Sequence, residues 1–267
     1  MLEARNVTLA RNDRAILQGV DARFAPGEFV AIVGPNGAGK SSLVRALTGE
    51  WAPQTGEVFL DGRLLTAISR RTLAQRMAVV PQASLLSFDF LVEEIVALGR
   101  LPHATGAATD LAIVTQALVH LGLEAFAGRR YLTLSGGERQ RVHLARALVQ
   151  IWPASESVAP PILILDEPTS ALDLAQQHIA LETASARAQD GATVIAVLHD
   201  LNLAAEYANR LLVLKAGQIV ADGEPAEIMS DQQVSDWFGC PVDVWRDPGR
   251  PPQVRARRQR HLRAAKS

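Results

Sequence analysis

The run Gly34-Pro35-Asn36-Gly37-Ala38-Gly39-Lys40-Ser41 has the spacing G-x-x-x-x-G-K-[ST], and each position has a chemical reason. Glycines let consecutive backbone N–H groups turn inward and form an anion nest at the start of a helix. Lys40 brings a cation to β- and γ-phosphates, and Ser41 a hydroxyl to the shell of Mg2+. Lysine is scarce in this chain, present only as Lys40, Lys215 and Lys266, so a lysine where the pattern demands one carries weight. A second constellation closes the run Ile162-Leu163-Ile164-Leu165-Asp166-Glu167. Successive side chains on a strand point opposite ways, so two acids can divide labour only where the strand ends. Asp166 would hold Mg2+ through its water shell, and Glu167 would polarise a water at the γ-phosphate. Together these residues predict a nucleotide site.

Such residues need a frame to hold them. Phe29 to Val33 is a short apolar run ending in Gly34, the pattern of a fully buried strand, and Ser42 to Gly49 is a helical pattern stopped by glycine. Strand, loop and helix thus fall in the order a phosphate loop requires. The residues before Phe29 read as strand material with a turn at Arg11 to Arg14. Gly56 to Gly62, Met77 to Val80, Ile162 to Leu165, Thr193 to Leu198 and Leu211 to Leu214 read as further strands. Val92 to Gly128 turns helical, with Glu93 and Glu94 in a first turn and Leu111 to Gly122 strongly periodic. Ile151 to Pro161, with three prolines, reads as a surface loop. Strands alternating with helices predict a parallel sheet covered on both faces.

One more stretch, Leu134-Ser135-Gly136-Gly137-Glu138-Arg139-Gln140-Arg141, opens a helix whose N-terminal N–H groups can bind phosphate. Here the chain resembles the ATP-binding subunits of ABC transporters, whose signature is LSGGQ with Glu a common variant at the last position. Gln82 in Val-Val-Pro-Gln matches that family's Q-loop, Ser170-Ala171-Leu172-Asp173 its D-loop and His199 in Val-Leu-His-Asp its switch histidine. The resemblance covers about residues 2 to 240.

It implies a P-loop NTPase fold of the ABC ATPase type: an α/β protein with a RecA-like parallel core, an N-terminal antiparallel β subdomain and an α-helical subdomain inserted at about 88–150. The ATPase domain would span 1–240, followed by a Pro/Arg-rich basic tail at 241–267. ATP and Mg2+ are the implied ligands. Gly34 to Ser41 and Ser42 would bind nucleotide, Ser41, Gln82 and Asp166 the metal, and Glu167, His199 and Gln82 would be catalytic. Ser135, Gly136, Gly137 and Glu138 would meet the γ-phosphate held by a second copy, in a head-to-tail homodimer. Where most members place an adenine-stacking aromatic residue, this chain has Arg11. A guanidinium plane can stack on a base, so Arg11 is expected to take that place, the alternative being that it points to solvent and leaves the adenine poorly held.

Val92 to His103, just after the Q-loop, resembles the corresponding segment in the importer group that handles iron–siderophore, cobalamin and heme, and is expected to dock a permease. Ala46 to Glu50, Gln82 to Leu91, Arg130 to Leu134, Gln150 to Trp152 with its following insert, and Leu172 to His178 carry the resemblance towards hemin import. That implies two copies of a transmembrane permease, indirect service of a periplasmic heme-binding protein, and a peripheral position on the cytoplasmic face of a bacterial inner membrane. Siderophore or cobalamin import is the nearest alternative cargo. No direct heme binding is expected: the six histidines are scattered and no Cys-x-x-Cys-His motif occurs.

Composition narrows the classes. The 267 residues are 48% hydrophobic and 21% charged, which excludes a disordered chain for most of the length. No apolar run approaches the ~18–20 residues of a membrane-spanning helix, and the start shows no signal peptide, so a soluble cytosolic product is expected. Cys240 is the single cysteine and can form neither an internal disulfide nor a cysteine metal cluster. Eight basic residues against Asp247 give Trp245 to Ser267 a charge of +7, leaving −8 on the remainder of a chain whose net charge is −1. An acidic body speaks against a nucleic-acid partner. A nucleic-acid-handling ABC ATPase is the alternative from another class, and it fits poorly because only 95 positions separate Lys40 from Ser135. The tail reads as a solvated, flexible extension, with anionic lipid as its alternative partner.

Overall fold

The computed structural model describes residues 1–11, 14–82, 89–152, 159–170 and 172–257. Its centre is a six-stranded sheet made of β3 (Phe29–Val33), β6 (Met77–Val80), β7 (Ile162–Asp166), β8 (Thr193–Val197), β9 (Arg210–Lys215) and β10 (Gln218–Gly223), in the order β10-β9-β3-β8-β7-β6. Every pairing from β9 to β6 is parallel, and only β10 runs antiparallel to its neighbour. A parallel sheet must be covered on both faces, and the alternation along each strand does this. Phe29, Ala31, Val33, Leu163, Leu165, Leu211 and Val213 enter one core, whereas Val30, Ile32, Ile162, Ile164, Leu212 and Leu214 enter the other.

The second core is closed by a four-stranded antiparallel sheet in the order β2-β1-β4-β5, built from β1 (Leu2–Arg11), β2 (Arg14–Phe24), β4 (Thr55–Leu60) and β5 (Arg63–Leu64). Helix α1 (Lys40–Leu47) packs into this core through Leu43, Val44, Ala46 and Leu47. Helix α2 (Arg70–Arg76) starts at a Ser69 cap and leads into β6.

Between β6 and β7 lie the α-helices α3 (Val92–Ala97), α4 (Ala107–His120) and α5 (Gly136–Gln150). Their buried faces join the first core through Val92, Ile95, Val96, Ile113, Val114, Ala117 and the interior of α5. Arg100, 4% exposed, clamps this unit together. Its guanidinium binds Asp110 at 2.8 Å, the Val149 carbonyl at 2.6 Å and the Thr105 hydroxyl at 3.0 Å. A Cβ on Gly99 would stand 2.3 Å from the Arg146 carbonyl oxygen, so glycine alone lets this turn approach α5. Of the segment Val92 to His103, therefore, only Glu93, Glu94, Ala97, Leu98 and Leu101 are exposed, Leu101 by 75%.

The C-terminal third adds α6 (Leu174–Gln189), α7 (Leu201–Tyr207), α8 (Pro225–Ile228) and α9 (Asp231–Phe238). It ends in a difference from expectation. Instead of a flexible extension after Trp245, the chain turns back, and β11 (Val242–Trp245) and β12 (Gln253–Ala256) form an antiparallel hairpin, with Val242 opposite Ala256 and Trp245 opposite Gln253. The hairpin binds α9: the Val244 N–H donates to Asp231 at 2.8 Å and the Val242 N–H to Ser235 at 3.1 Å. Arg257 pairs with Asp231 and Asp243, so part of the supposed basic tail is matched by acids of the body. Residues 258–267 lie outside the described residues, as do Asn12 and Asp13, 83–88, 153–158 and Ala171. Among the described residues no helix is long and apolar enough to cross a membrane.

Candidate functional site

The phosphate loop sits between β3 and α1, and its shape depends on glycine at two positions. Gly34 has φ +145° and Gly39 φ +104°. A Cβ at Gly34 would fall 2.0 Å from the Leu214 carbonyl oxygen, and one at Gly39 2.8 Å from that of Ile16. Both residues therefore supply left-handed backbone and close packing at once. Gly39 is the residue that caps α1 and has no side chain to accept from the first N–H groups of the helix, leaving them open to an anion.

Lys40 curls back over the loop, its ammonium donating to the carbonyls of Gly34 at 2.8 Å and Pro35 at 3.0 Å. Burial lowers its pKa, and the charges of Glu167 and Asp166 work against that shift. A phosphate would offer this cation stronger, charged acceptors. The Ser41 hydroxyl donates to Asp166 at 3.2 Å. Burial raises the Asp166 carboxyl, the Ser41 bond lowers it, and Glu167 raises it further.

Glu167 directly follows β7 and has φ +53°, a left-handed conformation unusual for a residue with a long side chain. Its backbone N–H still reaches the Val197 carbonyl at 3.2 Å. The turn brings the carboxylate between two partners: His199 Nε2 lies 2.7 Å from one oxygen, and Gln82 Nε2 donates to the other at 2.6 Å. Three residues from distant parts of the sequence thus converge. They share an open cleft of about 670 Å³ with Ile16, Asn36 and the loop from Gly37 to Ser42.

The donor set suits Mg2+. This ion takes oxygen ligands and commonly keeps waters and substrate phosphates, needing one or two side chains. Ser41 and Asp166 provide such a pair, and no group of three or more His, Cys, Asp or Glu residues among those described would cage a metal.

The signature lies apart from this cleft, none of whose lining residues comes from 135–138. Ser135 caps α5: its hydroxyl accepts from the Glu138 N–H at 3.3 Å, while its own N–H donates to the Glu138 carboxylate at 2.7 Å. This reciprocal pair is a capping box, and Gln closes it as well as Glu does. The Ser135 N–H holds the Glu138 carboxyl below the usual range. Of the D-loop stretch, Asp173 caps α6 by accepting from the Gln176 N–H at 2.9 Å, and the Ser170 hydroxyl donates to the Glu167 carbonyl at 3.1 Å.

Arg11 has a partner that its sequence position did not disclose. Its guanidinium lies 5.5 Å over the ring of Trp51, which also carries Arg45 at 4.6 Å. The cleft is lined on that side by Ile16, not Arg11. Buried beneath the signature is a further pair, the Tyr131 hydroxyl and His143 Nε2, 2.7 Å apart. No motif pointed to it.

A phosphate loop on a parallel sheet, paired acids at the end of β7 and a separate capped signature helix define an ATP-binding cassette. The sequence profile of the ABC transporter family matches residues 17–170, and the chain belongs to that family. Among its relatives is the hemin import ATP-binding protein HmuV of Pseudomonas fluorescens, 48% identical over 250 residues that span 94% of this chain and 97% of the relative. The protein of the same name from Myxococcus xanthus is 48% identical over 94% of each chain. In structure, the chain resembles an ABC transporter in an inward-facing conformation, with a TM-score of 0.79 and 28% identity over 96% of this chain and 97% of the other. It also resembles a dimeric ATP-binding cassette in a post-hydrolysis state with ADP and Pi, with a TM-score of 0.72 and 28% identity over 84% and 98% of the two chains.

Proposed function

We propose that this chain is the ATP-hydrolysing subunit of a heme importer, acting as a homodimer on a pair of membrane permease subunits. The observation that carries the hydrolytic reading is the convergence of Gln82 and His199 on the Glu167 carboxylate beside Lys40 and Ser41. The cargo reading is supported by the hemin-import relatives, which match the chain over nearly its whole length.

In this reading the loop from Gly34 to Ser42 cradles the phosphates and Lys40 exchanges carbonyl partners for phosphate oxygens. Ser41, Asp166 and Gln82 would hold Mg2+, which when bound neutralises charge developing on the phosphates. Glu167 accepts a hydrogen bond from the attacking water and draws its proton away. His199 and Gln82 fix the carboxylate's orientation and sense the γ-phosphate. Ser135, Gly136, Gly137 and Glu138 complete the site of the partner copy, consistent with their distance from this chain's own cleft. The permease would present a periplasmic binding protein's heme, and the ATPase would sit on the cytoplasmic face of the inner membrane.

The test is reconstitution. The permease that co-purifies from membranes is placed with this subunit in proteoliposomes and offered hemin, a ferric siderophore or cobalamin. Hemin uptake dependent on ATP is expected, and uptake of another cargo alone would replace heme in the assignment.

The permease is expected to meet the exposed side of α3 and the turn after it. Glu94 is already engaged, accepting from the Leu91 N–H at 2.8 Å, so Glu93 is the cleaner probe. Glu93→Lys should abolish permease-stimulated hydrolysis while leaving the rate of the isolated subunit unchanged. Intact stimulation with a small loss of stability, about 0.3–1 kcal/mol, would mean that Glu93 only favours the helix start.

Adenine recognition is assigned to Arg11, with Trp51 supporting one face of the guanidinium and the base stacking on the other. Arg11→Ala should raise the KM for ATP about 3- to 10-fold and change kcat little, as loss of uniform binding requires. Arg11→Tyr should retain affinity. An unchanged KM in the alanine variant would leave Arg11 as a partner of Trp51 alone.

A further inference from the structure

The switch residue His199 stands on a short connection between β8 and α7, and its side chain is 46% exposed. Packing alone does not hold such a side chain; its reach to Glu167 depends on where α7 begins. That helix has seven residues, too few to be stable without tertiary contacts.

Its first turn is tied on both sides of Asn202. The Asn202 N–H donates to Asp200 Oδ1 at 2.7 Å, and the Leu203 N–H reaches the same oxygen at 3.2 Å. Asp200, the residue after His199, is therefore the cap of α7. The Asn202 side chain faces the C-terminal hairpin and makes a reciprocal pair there. Its Oδ1 accepts from the Val254 N–H at 2.7 Å, and its Nδ2 donates to the Val254 carbonyl at 3.3 Å. The amide thus imitates one link of a neighbouring strand on β12. The hairpin itself is fixed to α9 through Asp231 and Ser235, and the far end of α7 is held by the Tyr207 hydroxyl, 2.5 Å from His178 Nδ1 on α6. A continuous path of contacts runs from Val254 through Asn202, Asp200 and His199 to Glu167.

We propose that Asn202 is a positioning residue for ATP hydrolysis: its grip on Val254 lets the C-terminal hairpin fix the start of α7 and hence the placement of His199 on Glu167. The proposal rests on the roles given above to His199 and Glu167. It makes the C-terminal segment a working part of the hydrolytic site although it contributes no residue to the cleft.

The test is single-turnover and steady-state ATP hydrolysis by the full chain carrying Asn202→Ala, Val254→Pro, His199→Ala, or Asn202→Ala with His199→Ala. Val254→Pro removes the N–H that Asn202 accepts; should it fail to fold, Asn202→Ala carries the test. Asn202→Ala is expected to lower kcat roughly 10-fold with the KM for ATP within about twofold, since small displacements of catalytic groups act on the chemical step. In the His199→Ala background the same substitution should cause no further loss, because both changes act through one contact. Asn202→Asp, which keeps the Val254 N–H bond but cannot donate, should fall between. Parental kcat in Asn202→Ala, or equal fold losses with and without His199, would overturn the proposal. Normal turnover in His199→Ala alone would instead remove the assignment beneath it.

Discussion

Replacing Glu167 by Gln should slow ATP hydrolysis by roughly 10²- to 10⁴-fold, the contribution typical of a positioned general base, while ATP still binds. Gln keeps the shape of Glu and can still meet His199 and Gln82, which lie 2.7 and 2.6 Å from the native carboxylate. It loses the capacity to take a proton. The phosphate loop is untouched, and removing a negative charge beside Asp166, whose carboxyl Glu167 helps to raise, does not weaken the site for an anionic ligand. An ATP-bound dimer should therefore accumulate, visible by size-exclusion chromatography with ATP and absent without it. Turnover near that of the parent would assign water activation to another group.

The second large effect concerns stability in acid. His143 is 2% exposed, and burial with the nearby charge of Arg146 lowers its pKa from 6.5 to about 4. Its Nε2 meets the Tyr131 hydroxyl, and its Nδ1 is buried without a hydrogen-bond partner among the described residues. A histidine whose folded pKa is depressed binds fewer protons folded than unfolded between those two values. Its neutral form is accommodated at full advantage above about pH 6.5, and the advantage is lost progressively down to about pH 4. A shift of that size corresponds to roughly 3 kcal/mol. Urea unfolding of the parent should show this loss across the window, and His143→Gln, which does not titrate, should flatten that part of the profile. Asp61, Asp110 and Glu138, whose carboxyls are held low by their partners, contribute stability that disappears below their ordinary range, so their signal lies at lower pH. Parallel profiles for parent and variant would show that His143 is not buried as a neutral ring.

The part of the site that a reader of the sequence could find is the part that is local. The loop from Gly34 to Ser41 and the pair Asp166-Glu167 announce themselves because their chemistry requires adjacent residues. Gln82 and His199 carry no such mark; 85 residues separate Gln82 from Glu167, and only family resemblance joined them. The parallel strands of the central sheet were legible because both faces are buried, giving unbroken apolar runs such as Phe29–Val33 and the stretch from Ile162 to Leu165, whereas the antiparallel edge strand β10, exposed at alternate positions, gave no such run. Tyr131 and His143 gave no signal, since a hydrogen bond between two core residues leaves ordinary helix and loop patterns.

Arg100 illustrates the opposite failure. A charged residue in a presumed docking segment reads as surface, yet it is a core clamp, and its pairing with Asp110 together with its bonds to the Val149 carbonyl and the Thr105 hydroxyl explains how the charge is tolerated. The C-terminal hairpin was readable but was outweighed by composition. Val242-Asp243-Val244-Trp245 and Gln253-Val254-Arg255-Ala256 surround Asp247-Pro248-Gly249, a turn sequence between two candidate strands. The density of arginine and proline suggested a solvated tail, because the acids that balance Arg257, Asp243 on the facing strand and Asp231 on α9, precede the basic stretch in sequence.

The left-handed backbone of Glu167 sets the protein's durability against its work. A glutamate at φ +53° holds a conformation that glycine or asparagine adopts more readily, and such strain costs on the order of 1–3 kcal/mol. Evolution under selection for robustness alone would drift away from glutamate here, gaining stability and abandoning turnover. On the proposed role of Glu167 in water activation, a need to spend ATP is what retains it, so variants recovered for heat resistance without a transport requirement should accumulate changes at this position.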